Sequence, residues 1–382
     1  MPHLLDNLDR TLGEWADRNG LPGYRRRQVR RWLFEKRAGD WQAMSDLPKA
    51  LRERLAGELP VWSAQVAKHT TAGDGTEKLL LSLAGGGQVE CVLLRDGLPN
   101  ALRGGQGEAP AARRPAGGPT GGSTGDSGRR TICVSSQVGC GMGCVFCASG
   151  LDGVDRNLSA GEIVEQMLLL QRRLAPEERL SHIVMMGMGE PLANLSNVLT
   201  ALDEAARDDG LGISPRRITI STVGLPKAIR RLAALDARYR LAISLHAPTD
   251  ELRNQIVPIN HRVGIADVLA AADDYYRASR RRLTFEYVLL AGLNDRPEHA
   301  HQLTRLLAGR HALLNVIPYN PVEGLPYRTP SPAAQRAFRE VLQQGGLSVR
   351  FRHRKGDKIN AACGQLRRNA QATPAVVEPV TL

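Results

Sequence analysis

The sequence predicts an α/β protein whose main part is a partial (β/α)6 barrel, preceded by a small, basic, helical N-terminal domain. Three observations carry that prediction. From residue 131 onward, apolar strand-like runs alternate with amphipathic helix-like runs, six times in series. The unusual polar residues fall at the carboxyl ends of those runs, where barrel enzymes build their sites. Residues 1–60 read as helical and basic. An open doubly wound sheet is the competing architecture.

Taken in order, the N-terminal domain spans 1–60. Its run "RRRQVRRWLFEKR" (25–37) has one acid among seven bases, with Val29, Trp32 and Leu33 at helical spacing for an inner face. Such a run reads either as a solvated helix face or as a phosphate contact. Residues 61–102 form a small β extension, with strands in "TEKLLLSLAG" and "QVECVLLRD" joined by a glycine turn. Residues 103–130 are rich in Gly, Pro and Arg and hold no aromatic or large aliphatic residue, so they read as a flexible insertion that separates a small N-terminal unit from the main domain. The core barrel spans 131–370, with strands in "TICVSS" (131–136), "HIVMMG" (182–187), "RITIST" (217–222), "RLAISL" (240–245), "LTFEYVLL" (283–290) and "LLNVIP" (313–318). Its first helix is introduced by "SAGE" (159–162), a capping box before an apolar periodic run. Residues 371–382 form a tail.

The bulk composition narrows the class. The chain has 382 residues, 42% hydrophobic and 24% charged. No window reaches the roughly 18 apolar residues of a membrane helix, and the N-terminus lacks a signal-peptide core. A cytoplasmic address is therefore expected, where thiols stay reduced and cysteines serve as metal ligands or catalytic groups. The net charge of +12 favours polyanionic partners, nucleic acid foremost, with the Arg preference of a high-GC genome as the competing explanation.

Half of the six cysteines lie in "CGMGCVFC" (140–147), at C-x3-C-x2-C spacing in the loop after the first barrel strand. Three thiolates are too few for a closed zinc site unless a His completes it. A [4Fe–4S] cluster usually takes four, so three leave one iron open to a small molecule. At the same rim fall Gly189 and Glu190, Ser221, Ser244 and His246, and Asn320. The spacing, with Phe146 before the last Cys, resembles the signature of the radical S-adenosylmethionine (SAM) superfamily, whose fold is a partial (β/α)6 barrel.

Further motifs refine the resemblance. "TICVSSQVGC" around Cys133, "INAACGQL" around Cys363, "MGMGEPL", "STVG", "SLHAP" and "IPYNP" together resemble the RlmN/Cfr family of RNA adenine methyltransferases. The likeness runs from about residue 5 to 370, interrupted by the 103–130 insertion. It implies that Cys140, Cys144 and Cys147 ligate a [4Fe–4S] cluster. It also implies that Gly189, Glu190, Ser221, Ser244, Leu245, His246 and Asn320 bind SAM, which the cluster cleaves to a 5′-deoxyadenosyl radical. Cys363 would carry a methyl group taken from a first SAM. Cys133 would release the methylated base through a transient disulfide with Cys363, and Glu90 would accept a proton. Cys91 matches no functional position and reads as a core residue. The order Lys358-Ile359-Asn360 and Lys355 depart from the family pattern.

The resemblance implies methylation of adenine C2 in 23S rRNA and in tRNA next to the anticodon. It also implies an electron donor such as a flavodoxin or ferredoxin, and no membrane partner. C8 methylation by the resistance branch is the close alternative. A radical SAM enzyme acting on a small molecule or peptide would leave the basic helices and the Cys133/Cys363 pair without a role. A non-catalytic iron–sulfur or zinc RNA-binding protein predicts metal without SAM binding.

Overall fold

The computed structural model describes residues 3–96, 128–235, 239–352, 356 and 359–367. Helices α1 (Leu8–Arg18), α2 (Tyr24–Phe34) and α3 (Lys49–Glu58) form the N-terminal unit. Three strands follow: β1 (Ala64–Thr71), β2 (Glu77–Leu83) and β3 (Gln88–Arg95). Then β4 (Arg130–Cys133) begins the barrel, and a small hairpin of β5 (Gln137–Gly139) and β6 (Val154–Asn157) brackets the cysteine loop. Helix α4 (Ala160–Gln171) starts at Ser159 with the expected capping box closed by Glu162.

Strand and helix then alternate: β7 (His182–Met185), α5 (Leu195–Ala206), β8 (Ile218–Thr222), α6 (Pro226–Ala233) and β9 (Arg240–Ser244). Helices α7 (Asp250–Ile256) and α8 (Ile265–Ser279) precede β10 (Leu283–Leu289). The chain continues with α9 (Pro297–Leu307), β11 (Ala312–Pro318), α10 (Pro332–Gln344) and β12 (Val349–Phe351). The six expected strands, β4, β7, β8, β9, β10 and β11, are neighbours in that order and pair in parallel. The fold is thus the α/β partial barrel that the sequence predicts, and β12 adds a further parallel strand.

Side chains such as Ile132, Ile183, Ile220, Leu241, Ile243, Phe285 and Val316 are at most 1% exposed. Each fully buried side chain of this size stabilises the fold by about 1.5–3 kcal/mol, which is what sets the helices against the sheet.

One organisational expectation differs. The strands before the insertion do not form a unit apart: β3 pairs antiparallel with β4, placing β1–β3 in the same ten-stranded sheet as the barrel strands. Alternation of apolar residues reveals a strand, but its partner lies across a long sequence gap and leaves no local signal. The expected insertion at 103–130 lies outside the described residues as far as 127, while Arg130 opens β4.

The N-terminal unit is anchored by polar side chains. Glu165 on α4 is bound by His3 Nε2 at 2.6 Å, and accepts from Ser63 Oγ at 2.7 Å, Ala64 N at 2.8 Å and Ser63 N at 2.9 Å. Buried Arg30 pairs with Glu204 at 2.5 Å and Asp209 at 2.9 Å. Arg37 donates to the carbonyls of Leu174, Ala175 and Glu178. Part of the basic run, for which the sequence offers a solvated helix face or a phosphate contact, instead fastens helices to the barrel. Among the described residues, no helix is long and apolar enough to cross a membrane.

Candidate functional site

A cavity of about 150 Å3 opens at the carboxyl ends of the barrel strands. Its walls include Cys140, Cys144 and Cys147 from the loop after β5, Gly189 and Glu190 after β7, and Ser221 on β8. Ser244 and His246 come from β9 and its end, Asn320 follows β11, and Cys363 and Gly364 arrive from the C-terminal segment. Four parallel strands, one loop and the C-terminal segment thus deliver most of the residues singled out in the sequence to one space. Leu245, Cys133 and Glu90 are not in its lining.

The cysteine loop is held at both ends. Cys140 N donates to Gly153 O at 2.8 Å, Val145 N to Ile256 O at 3.2 Å, and Cys147 N to Cys144 O at 3.1 Å. Ala148 N donates to Gly364 O at 2.8 Å, and Ser149 Oγ to Leu366 O at 2.7 Å. The last two bonds dock the Cys363 segment against the cysteine loop. Asn320 Nδ2 adds a third tie, donating to Cys363 O at 3.1 Å.

Burial pushes all three loop thiols above their usual range. Among the described residues, no three His, Cys, Asp or Glu side chains are grouped to hold one metal ion. Three soft thiol donors that share a cavity wall without closing on a point suit a multi-iron cluster, which is larger than an ion. Binding a metal there would displace the thiol protons.

Gly189 has φ +100°, and a Cβ at that position would stand 2.6 Å from Gln137 Cβ. Only glycine gives that turn, which aims the backbone after β7 into the cavity. Glu190 is 3% exposed; its Oε1 accepts from Leu192 N at 3.0 Å and its Oε2 from Val223 N at 2.8 Å. Burial raises its pKa, while the Val223, Thr222 and Leu192 donors work against that rise. Its carboxylate fixes the ends of β7 and β8 to each other.

His246 occupies the left-handed region at φ 61°. The conformation is held by Asn294 Nδ2 donating to His246 O at 2.9 Å and by Val288 N donating to His246 Nδ1 at 3.1 Å. The latter bond leaves the imidazole proton on Nε2. Burial, then the Arg253 charge, lowers its pKa to about 3, so the ring is neutral. Phe146 packs edge-on against it at 4.9 Å.

Leu245 differs from its neighbours because its side chain joins the core, fully buried. Only its backbone works near the site: its N–H donates to Glu286 O at 3.0 Å, and its carbonyl accepts from Arg253 Nε at 3.0 Å. In a strand, alternate side chains point to opposite faces, and Leu245 faces away from Ser244 and His246.

Cys133 and Cys363 are both free thiols, and Cys363 lies near enough to affect the ionisation of Cys133. Burial, reinforced by Cys363, pushes the Cys133 thiol up to about 12, and the Arg352 charge opposes that rise. Cys363 is exposed, yet protein crowding around it raises its thiol as well, again against Arg352. Glu90, on β3 beside β4, is 7% exposed and pairs with Lys78 Nζ at 2.7 Å. It also accepts from Arg367 N at 2.9 Å, so it clamps the Cys363 segment from the other side. Burial raises its pKa despite Lys78. Cys91 is fully buried in the core, as its sequence setting predicts.

Two functional candidates emerge only from the folded chain. Arg253 on α7 is 1% exposed and donates to Leu245 O, Ser244 O (3.1 Å), Val223 O (2.5 Å) and Asn260 Oδ1 (2.7 Å), tying β8 to β9 behind the cavity. An Arg in an amphipathic helix carries no signal of such burial. Glu286 lines the cavity from the middle of β10. A signal for it exists in the sequence: a lone acid inside the apolar run "LTFEYVLL".

Comparison with known proteins agrees with this geometry. Residues 134–304 match the model of the radical SAM superfamily, and residues 3–61 match the ribosomal RNA large subunit methyltransferase N-terminal domain. The chain is 59% identical over 368 residues to a probable dual-specificity RNA methyltransferase RlmN of Rhodopirellula baltica, covering 96% of this chain and 91% of that protein. It is 42% identical over 346 residues to one of the same name from Thermus thermophilus, covering 90% and 89%. A solved radical SAM methyltransferase from Sphaerobacter thermophilus superposes with a TM-score of 0.84 at 38% identity, covering 96% of this chain and 99% of that one.

Proposed function

The chain belongs to the RlmN family of radical SAM RNA methyltransferases, and from that premise we propose that it methylates C2 of an adenine in 23S rRNA and of the tRNA adenine beside the anticodon, by way of Cys363. The observation that carries the reading is the convergence of three loop thiols, Glu190, His246 and Cys363 on one cavity. The [4Fe–4S] cluster and SAM supply one-electron chemistry, which an aromatic ring carbon with no nucleophilicity requires.

Within that reading, Cys140, Cys144 and Cys147 hold the cluster. Gly189, Glu190, Ser221, Ser244, His246 and Asn320, with the Leu245 backbone, shape the SAM site. Cys363 carries the methyl group beside the cluster loop, its segment fixed by Asn320 and Ala148. Cys133 attacks the Cys363 sulfur as a thiolate, and a Cys133–Cys363 disulfide is left. The bond from that sulfur to the base's new carbon breaks with its electron pair going to the carbon, which takes up a proton to become the methyl group. Glu90, with its carboxyl held above the usual range, is suited to take the proton that the ring carbon loses. A flavodoxin or ferredoxin in the cytoplasm is the natural electron source.

The test is anaerobic. The reconstituted protein, with reductant and SAM, is given unmodified 23S rRNA or tRNA, and digested nucleosides are identified by mass spectrometry. The expected product is 2-methyladenosine, lost in Cys363→Ala and Cys133→Ala. 8-Methyladenosine, or no methylated adenosine, would reject the proposal.

A further inference from the structure

Two buried carboxylates line the cavity, and only one has both oxygens occupied. Both Glu190 oxygens accept backbone N–H groups. Glu286 is 5% exposed, and its Oε1 accepts from Asn315 Nδ2 at 3.0 Å. Its Oε2 has no hydrogen-bond partner. Asn315 Oδ1 and Asn320 Oδ1 are likewise buried and unpartnered, and both residues are 5% exposed. Strand register explains the cluster: Glu286 on β10 pairs with Ser244 on β9 and with Asn315 on β11.

All three unpartnered atoms are acceptors. A buried acceptor left unmade costs about 1–3 kcal/mol, and since Glu286 and Asn320 line the cavity, their open oxygens fit a ligand that brings N–H or O–H donors. The location narrows the ligand. Glu190 influences Cys140 and Cys144 of the cluster loop, whereas Glu286 influences Cys363. Asn320, the other acceptor on the cavity wall, is bonded to the backbone of Cys363 itself. The open Glu286 oxygen thus attends the methyl-carrying cysteine, where the substrate base must lie if the reading above holds, while Asn320, assigned above to SAM, marks where the two ligands meet.

We propose that Glu286, oriented by Asn315, accepts a hydrogen bond from the exocyclic amine of the target adenine and so selects adenine over a 6-oxopurine. Guanine and inosine would place a carbonyl oxygen against the carboxylate, two acceptors without a proton between them. The adenine amine brings two N–H donors to the same place. A site built to bond a polar group rejects an analogue lacking it far better than an apolar pocket rejects an added atom.

The substitution Glu286→Gln gives a directional test. If its oxygen keeps the Asn315 bond, its amide nitrogen replaces Oε2 and turns an acceptor into a donor. Native and variant enzymes are compared on RNA bearing adenosine or inosine at the target position, reading the ratio of kcat/KM values. The native enzyme prefers adenosine strongly, and the variant reduces that preference by at least roughly tenfold. A second measurement needs no variant: the native protein binds RNA with purine riboside at the target, which lacks the amine, about tenfold or more weakly than adenosine RNA. An unchanged adenosine-to-inosine ratio, or equal binding of the two RNAs, would overturn the inference. A loss of SAM affinity with base preference intact would overturn it too, by making SAM's own nucleoside the group that is read. Failure to methylate native RNA at all would instead count against the proposed function.

Discussion

At the scale of single residues, the site is held by backbone hydrogen bonds as much as by packing. Arg253 donates to three carbonyls and one amide oxygen while almost wholly buried. Arg253→Met keeps much of the volume and removes every donor. The expected loss of stability is about 3–5 kcal/mol, measured by urea denaturation of the native and variant proteins. A loss below about 1 kcal/mol would show that water replaces the guanidinium. Gly189→Ala should abolish SAM binding, because the new Cβ meets Gln137 and the backbone turn is strained; equilibrium dialysis with SAM reads it directly. The Cys133 thiol, pushed up to about 12, limits how fast a covalent RNA adduct on Cys363 can be released. The logarithm of the release rate should therefore climb with about unit slope from roughly pH 7 to 10 in a single-turnover chase. A flat profile would mean that Cys133 does not attack as a thiolate in the slow step.

At the scale of elements, the N-terminal unit depends on Glu165 of α4. Burial alone would raise this carboxyl, but hydrogen bonds from His3, Ala64 and Ser63 together hold it below its ordinary value. The folded chain thus keeps Glu165 ionised where the unfolded chain would protonate it. That contribution is complete above the unfolded pKa and is lost as pH falls through the lower folded pKa. His246 and His182 add to acid sensitivity in a higher window. Burial is the largest cause in both, and it lowers them from 6.5 to about 3 and about 4, so each resists protonation in the fold. Stability should be full above about pH 6.5 and fall steadily below it, with the midpoint of urea unfolding as readout. Glu165→Ala should separate the N-terminal segment first, seen as earlier proteolysis near Ser63 at neutral pH. Equal protease resistance would reject that role.

At the scale of the whole molecule, the charge of +12 is not evenly used. Arg30 and Arg37 fasten the N-terminal helices, whereas exposed Arg217, Arg240 and Arg350 lie at or beside the starts of β8, β9 and β12. Arg129, Arg217 and Arg240 together depress His182, as closely grouped positive charges must. This end of the sheet lies opposite the cavity, so its charge draws RNA through the field of the whole molecule. Replacing Arg217 and Arg240 with Gln should weaken RNA binding uniformly across sequences. It should also flatten the dependence of log affinity on log salt by about 1 for each phosphate that is no longer neutralised. An unchanged slope would place the RNA elsewhere.

The sequence by itself determined the parallel strands, the cysteine loop and the polar residues at the strand ends, because each has a local signature. Periodicity marks β7 to β11, the capping box marks α4, and C-x3-C-x2-C marks the cluster loop. The tertiary structure alone decided how these parts meet. It joined β3 to β4, buried Arg253 behind β8 and β9, and turned the Leu245 side chain into the core while keeping its backbone near the site. It also left Glu286 with an unpartnered oxygen beside Cys363. Each of these depends on which distant segment fills the neighbouring space. A hydrogen bond between residues far apart in the chain leaves no trace in the pattern of nearby ones, so only the folded chain reveals it.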